Sequence, residues 1–387
     1  MHTTRRARMR LLTPWIALFA ALTLVTPVSA RPFTPEASRS SAQSSWPPRA
    51  WAPITPNGNP PPPSISRYMG ASNIGFTPGY NLGVSRAQAT LPGQDVVVIL
   101  DFLYPYTSGS GFCNPDVDGT ILATANCVSE DSAAVTVEGL INGFMAGGYY
   151  RAGSHLTVAM GVSNCDLSGS GPGGSNGNLS GNGTYLTQEF GTSWSNTVNG
   201  VLSYVSNYGW ENSVDAWGGL DAEDEWNSGQ ATLNWALAFS QITASFYVDF
   251  GACEDCSATQ CTAKGAGLRG SPSWTCQQRY DVAQGEPANP TYAFSMPEIY
   301  NTSGYNATQW YNLSLYGHNF FTQGGTDGAI EFRGALTQSN ACQEVGCPAG
   351  TNNDPNTGFY QLYSAVLTNP STDGKATITP SWCGPAT

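Results

Sequence analysis

Two carboxylates stand two residues apart where an apolar segment ends, in Val214-Asp215-Ala216-Trp217-Gly218-Gly219-Leu220-Asp221-Ala222-Glu223. If that segment is extended, Asp221 and Glu223 share a face with Cα atoms about 6.5–7 Å apart. Trp217 and Gly219 fall on the same face, so Gly219 leaves room beside the carboxylates and Trp217 offers a flat apolar wall. Neighbouring carboxylates push their pKa values apart, which leaves one ionised and one able to donate a proton. Such a pair is what cleavage of a glycosidic bond requires. The plainer alternative is that Asp221, Glu223, Asp224 and Glu225 form a solvated acidic turn capping the next helix.

The pattern recurs. Asp101 follows Val96-Val97-Val98-Ile99-Leu100, Asp249 ends Ser245-Phe246-Tyr247-Val248, and Glu298 ends Tyr292-Ala293-Phe294-Ser295-Met296-Pro297. Glu331 lies in Ala329-Ile330-Glu331-Phe332-Arg333. A single acid after a strand is uninformative, because Asp is a common helix cap. Several together match folds whose catalytic groups come from the C-terminal ends of several strands. Tyr104, Tyr106, Trp226 and Tyr300 also stand just past apolar runs, where an aromatic face suits the apolar side of a pyranose. With Trp217, Asp249 and Glu298 they form the expected substrate-binding set, and Glu223, Asp221 and Asp101 the expected catalytic set.

Other chemistries fare worse. Beyond residue 30 the histidines are His155 and His318, which excludes a His-rich metal centre and leaves little for a Ser-His-Asp triad. Gly169-Ser170-Gly171-Pro172-Gly173-Gly174-Ser175 has no following Lys-Ser/Thr, so it reads as a flexible loop, not a phosphate cradle. A carboxylate-lined Ca²⁺ site stays open as an alternative, although no EF-hand spacing appears. Neither a cofactor nor a metal is expected from these motifs.

These groups need a scaffold. Val96–Leu100 reads as a strand buried on both faces. Ser129 as N-cap, Glu130 and Asp131 in the first turn, and a stripe at Val137, Leu140, Ile141, Phe144 and Met145 predict a helix. A strand over 156–162 follows, then a helix carrying Trp194, Val198, Val201, Leu202 and Val205. Further strands are expected at 214–220, 244–250, 291–296 and 328–333, with helices near 229–241, 306–320 and 358–367. Such alternation implies an α/β fold with a mainly parallel sheet. A closed (β/α)8, TIM-like barrel needs two more strands, expected at 70–84 and 113–128; the alternative is an open parallel sheet with its ligand beyond the strand ends.

The apolar strand ending in Asp101 and the later Leu220-Asp221-Ala222-Glu223 resemble glycoside-hydrolase barrels, in particular family 25 lysozymes and related secreted domains. Those carry Asp on the first strand and Leu-Asp-x-Glu on a middle one. The resemblance rests on about a dozen residues. It implies Glu223 as acid/base, with Asp221 and Asp101 as supporting carboxylates. The chain departs from that pattern in its longer strand spacing, its insertion between Cys113 and Cys127, and its Cys-rich segment 253–276.

The ends and the charge bound the setting. Arg5, Arg6, Arg8 and Arg10, the apolar stretch Leu11–Val25 and the small residues of Val28-Ser29-Ala30 have the form of a secretory signal over residues 1–30. Removing it takes away four arginines and no acid, leaving eleven basic against 27 acidic residues, a net charge of −16. That charge argues against nucleic acid and anionic membranes as partners. The expected location is extracellular and the expected partner a glycan or polysaccharide. Residues 31–66, rich in Pro and Ser with Pro60-Pro61-Pro62-Pro63, read as a disordered leader, and 67–387 as one domain.

All ten cysteines follow the signal. An even count in an exported chain reads as disulfides. Cys253-x2-Cys256-x4-Cys261-x14-Cys276 could form a closed zinc site, but the compartment favours two local disulfides there. Cys113 with Cys127 and Cys342 with Cys347 are the nearest local pairs elsewhere. The expected function is glycoside hydrolysis on a polysaccharide or cell-wall glycan; the alternatives are a non-catalytic carbohydrate-binding or surface-interaction protein and a purely structural one.

Overall fold

Continuous β-branched runs need cover on both faces; here helices cover one face and the strands' own side chains pack together on the other. The computed structural model describes residues 63–102, 104–106, 111–113, 127–164, 186–224, 226–242, 246–264, 266–268, 274–285, 293–322, 328–368 and 381–384. The expected signal and nearly all of the expected leader lie outside the described residues, as do Glu225 and the Gly-rich run at 169–175.

The chain alternates between strands and helices. In order it forms β1 (Pro63–Tyr68), α1 (Phe76–Ala89), β2 (Asp95–Asp101), the short strands β3 (Tyr104–Tyr106), β4 (Gly111–Cys113) and β5 (Cys127–Ser129), then α2 (Glu130–Met145) and β6 (His155–Ser163). There follow α3 (Gln188–Asn207), β7 (Val214–Asp221), α4 (Gly229–Ile242), β8 (Tyr247–Asp249), α5 (Cys276–Gln284) and β9 (Ala293–Ser295). The last elements are α6 (Tyr305–Phe321), β10 (Gly334–Leu336), α7 (Ser339–Val345), α8 (Pro355–Val366) and β11 (Ser381–Gly384).

Eight strands form one sheet in the order β10-β11-β1-β2-β6-β7-β8-β9, and every neighbouring pair runs parallel. Ser295 of β9 also bridges in parallel to Phe332, and Glu298 bridges to Leu336 of β10. One face of the sheet packs Val96, Val98, Leu100, Val158, Met160 and Val214 against helix residues such as Leu140, Phe144, Trp194 and Phe239. The other face buries Val97, Ile99, Ala159, Trp217, Val248, Phe294 and Leu336 against one another.

The main sheet adds β1 and β11 to the expected strands, and the strand expected at 328–333 is corrected to Gly334–Leu336, with Phe332 making only a bridge. Among the described residues neither weak segment, 70–84 or 113–128, supplies a strand of the main sheet: 70–84 is largely helix, and 114–126 lies outside them. Residues 76–89 are helix α1. Residues 111–113 and 127–129 belong to a separate antiparallel sheet of β3, β4 and β5. Strand β1 starts at Pro63, which corrects the expected domain start at 67: Ser64 and Ser66 are buried in the sheet, and Ser64 Oγ accepts from the Val97 N–H at 2.9 Å. Asp101 consequently ends the second strand of the main sheet, not the first, a further departure from the family 25 pattern.

Local chemistry explains the helices. Ser129 caps α2 as expected, accepting from the Ser132 N–H. Helix α3 buries Trp194, Val198, Val201 and Val205 along one stripe. Helix α5 lacks such a stripe; it is opened by a capping box between Thr275 and Gln278 and by the Cys261–Cys276 disulfide. Helices α1 and α2 meet through glycines. A Cβ on Gly79 or Gly83 would lie 2.0 Å from the carbonyl oxygens of Thr136 or Leu140. On Gly139 or Gly143 it would lie 2.2 or 2.0 Å from those of Phe76 or Tyr80.

Cys253–Cys256, Cys261–Cys276 and Cys342–Cys347 are disulfides, so the Cys-rich segment is not a zinc ribbon. Cys113 and Cys127 stand opposite each other in the β4–β5 register; their side chains, and those of Cys165 and Cys383, lie outside the described part.

Candidate active site

Strand periodicity decides which acids meet. On β2, Asp101 shares the face of Val97 and Ile99; on β7, Asp221 shares the face of Trp217. Asp221 is the last residue of β7, and Ala222 and Glu223 run on from it before a turn at Asp224. Glu298 comes three residues after β9. One carboxylate oxygen from each of Asp221, Glu223 and Glu298 lies within 4.8 Å of the other two. The charge of Asp101 acts on both Asp221 and Glu298. Three of the expected carboxylates thus meet at the C-terminal ends of parallel strands, with Asp101 close enough for its charge to act on two of them.

Asp221, Glu223 and Glu298 are each aimed by a specific partner. Ser163, opposite Asp221 in the β6–β7 register, donates its hydroxyl to Asp221 Oδ2 at 3.1 Å. The Ala252 N–H donates to Glu223 Oε1 at 3.2 Å. The Tyr300 hydroxyl donates to Glu298 Oε1 at 2.6 Å. The backbone of Glu223 is clasped by one side chain: Asn164 Nδ2 donates to its carbonyl at 2.8 Å, and Asn164 Oδ1 accepts its N–H at 2.9 Å. Asn227 in turn donates to the Asn164 carbonyl. Sequence reasoning missed Ser163 and Asn164, although a polar Ser-Asn pair closing the apolar strand 156–162 is the kind of signal it used elsewhere.

The Cys-rich segment supports this arrangement from behind. Gly251 abuts Ala222 so closely that a Cβ would lie 2.2 Å from the Ala222 carbonyl oxygen. Arg279 on α5 is fully buried and donates to the Ala252 carbonyl at 2.7 Å, to the Ala222 carbonyl at 3.2 Å and to Asp249 at 2.6 Å. Asp249 lies on the helix-facing side of β8 with Tyr247 and is spent on this ion pair, so the expected substrate contact is corrected to a structural one. With so few cations in the chain, an arginine beside the cysteines was the available clue.

The remaining expected contacts divide. Tyr300 joins the cluster through Glu298. Trp217 is buried against Phe294 and Phe246, with ring centroids 5.7 and 6.4 Å away, and is a core residue, not a substrate wall. The space expected beside Gly219 is filled: a Cβ there would meet the Phe250 ring at 3.0 Å. Trp226 is half-buried, and its N–H bonds the Glu223 carbonyl at 3.2 Å. Glu331 pairs with Arg333 instead of joining the cluster. Tyr104 is on β3, but its side chain, like that of Tyr106, lies outside the described part.

Electrostatics follow from burial. Asp221 is 1% exposed, and Glu223 and Glu298 are 8% exposed. Desolvation, then repulsion from Glu298 and Asp101, pushes the Asp221 carboxyl well above its ordinary range. Glu223 rises for the same reason, with Glu298 and Asp221 adding to the effect. Glu298 is pushed up to about 8 by desolvation and by Glu254, Asp101 and Asp249, with the Tyr300 hydrogen bond opposing. Asp224 rises to about 6, again by burial, against the pull of Arg279. The arrangement therefore keeps protons on carboxyl groups at neutral pH, which is what a general acid needs.

This has a measurable consequence for stability. A carboxyl raised from 4.5 to about 8 contributes its full share only below its unfolded pKa, and that share is lost as pH rises toward 8. Glu298→Gln should flatten this loss, so the variant gains on wild type between pH 4.5 and 8 by an amount of order a few kcal/mol. Urea unfolding across that range checks it; parallel curves for the two proteins would show that Glu298 does not titrate in this window.

No protein-family model matches the chain, and no curated protein matches it. The site stands on its own geometry.

Proposed function

We propose that this is a secreted glycoside hydrolase that cleaves a polysaccharide or cell-wall glycan with its buried carboxylates. The observation that carries the reading is the meeting of Asp221, Glu223 and Glu298 within 4.8 Å, beyond the C-terminal ends of parallel strands. We further propose that the sheet closes into a (β/α)8 barrel. The parallel bridges from Ser295 to Phe332 and from Glu298 to Leu336 support closure, since they join the β9 edge to β10. So does the second core, which brings residues of β2, β6, β7, β8, β9 and β10 together on one face. Secretion is supported by the signal-like residues 5–30 and by the three disulfides. Among the described residues no helix is long and apolar enough to cross a membrane.

With Glu298 holding its proton, Asp221 is the carboxylate left ionised beside it, supported by Asp101. Glu223 gives its proton to the glycosidic oxygen as the C–O bond breaks, and Asp221 adds to the oxocarbenium-like anomeric carbon. A water activated by Glu223 then releases the sugar. An acid and a base separated by about 6.5–9.5 Å leave room for an intervening water; oxygens within 4.8 Å do not, so retention of anomeric configuration is the favoured outcome. Incubating the purified mature protein with cell-wall and plant polysaccharides should release reducing ends from at least one. Folded protein that releases none from any would overturn the reading.

The low exposure of the carboxylates favours a second reading, a carbohydrate-binding protein with a closed site. Saturable binding of a glycan that is never cleaved would select it.

A further inference from the structure

We propose that Asp221, Glu223 and Glu298 also hold one calcium-sized divalent cation when no substrate occupies the site. Oxygens sharing a Ca²⁺ at bonds of about 2.3–2.6 Å stand no more than about 5 Å apart, and one oxygen from each of the three carboxylates lies within 4.8 Å of the others. Mg²⁺ demands near-ideal octahedral geometry and sheds its waters reluctantly, so a site offering three protein carboxylates suits Ca²⁺ better. The donors are hard carboxylate oxygens with no thiolate or imidazole among them, as a calcium site requires.

A second observation is independent of the spacing. Oδ1 of Asp221 is buried and has no hydrogen-bond donor among the described residues, while its Oδ2 takes the Ser163 hydroxyl. A buried carboxylate oxygen without a donor is one for which a cation substitutes. The other two carboxylates are each oriented through one oxygen, by the Ala252 N–H and the Tyr300 hydroxyl. Outer partners that fix the aim of ligating carboxylates are a regular part of metal sites. The nearby guanidinium of Arg279 makes its ion pair with Asp249. The donors come from the end of β7 and from the segments that follow β7 and β9, so no loop motif announces the site.

The cation then competes with a glycan for the same carboxylates. That consequence rests on the hydrolase reading; the binding itself does not. Calorimetric titration of chelator-stripped mature protein with CaCl2 at pH 8 should give one ion per chain, with MgCl2 binding at least tenfold more weakly. Glu298→Gln and Asp221→Asn should each weaken calcium at least tenfold. If either fails to fold, Ser163→Ala, which removes only an orienting hydroxyl, should still weaken it severalfold. No binding up to millimolar CaCl2, or affinity unchanged in the folded variants, overturns the proposal. Reducing-end release by the stripped protein is scored separately. Activity without calcium binding defeats this inference alone, and cluster-dependent calcium binding without activity on any glycan defeats the hydrolase reading alone.

Discussion

Glu223→Gln should lower turnover on a cleaved glycan by about 10² to 10⁴ while the protein stays folded. The amide keeps the shape of the side chain and can still accept the Ala252 N–H through its oxygen, but it has no proton to transfer. Stability should hold or rise, because burial and the charges of Glu298 and Asp221 already disfavour the ionised carboxylate. Asp224→Asn is the comparison. Asp224 is fully buried one residue further on, and its carboxyl feels the Arg279 charge. It should therefore change turnover far less. Initial rates at saturating substrate decide the matter: wild-type turnover in Glu223→Gln, or a larger loss in Asp224→Asn, would mean that the proton donor has been misassigned.

The largest stability loss is expected from Arg279→Met, about 3–5 kcal/mol. The substitution strands Asp249 as an unpaired buried charge and leaves the carbonyls of Ala222 and Ala252 without their guanidinium donors. Burial raises the Asp249 carboxyl, and Arg279 works against that rise, so removing Arg279 drives Asp249 toward its neutral form. Replacing both partners together, as Arg279→Met with Asp249→Leu, should recover most of the loss, because a buried ion pair is costly mainly when broken. Guanidinium unfolding measures both. A loss below about 1 kcal/mol in Arg279→Met would show that the pair is not what holds the segment after β8 in place.

What was legible in the sequence follows what each signal is made of. The amphipathic stripe of α3 and the Ser129 cap of α2 are local patterns, and both formed as expected. The carboxylates at the ends of β2 and β7 and just beyond β9 were visible because an acid after an apolar run is conspicuous. Strand β1 was not, because Pro63-Ser64-Ile65-Ser66 carries buried serines instead of buried aliphatics. Helix α1 was missed: residues 70–84 were expected as a strand, because Gly79 and Gly83 interrupt a helical pattern, whereas they serve a close helix contact. Asp249 was assigned to the wrong side of the sheet. An acid at a strand end looks the same whether it faces Trp217 and its neighbours or the helix layer, and only the pairing with Arg279 separates the cases. The eight-residue strand β7 likewise placed Trp217 on the correct face, yet four residues below Asp221 that face is packed core.

The glycine contact between α1 and α2 bears on how this protein could be surveyed by mutation. Four positions, Gly79, Gly83, Gly139 and Gly143, each meet backbone at 2.0–2.2 Å from where a side chain would begin. None tolerates even alanine without the two helices moving apart, since the obstruction is main chain and not a rotatable group. In a selection that scores only surviving function, these four would rank with the carboxylates as the least replaceable residues. They belong to the helix layer, and their intolerance reports assembly of the fold, not chemistry. An abundance measurement alongside the functional score distinguishes the two classes: variants at the glycines disappear from the folded pool, whereas Glu223→Gln stays in it and is silent.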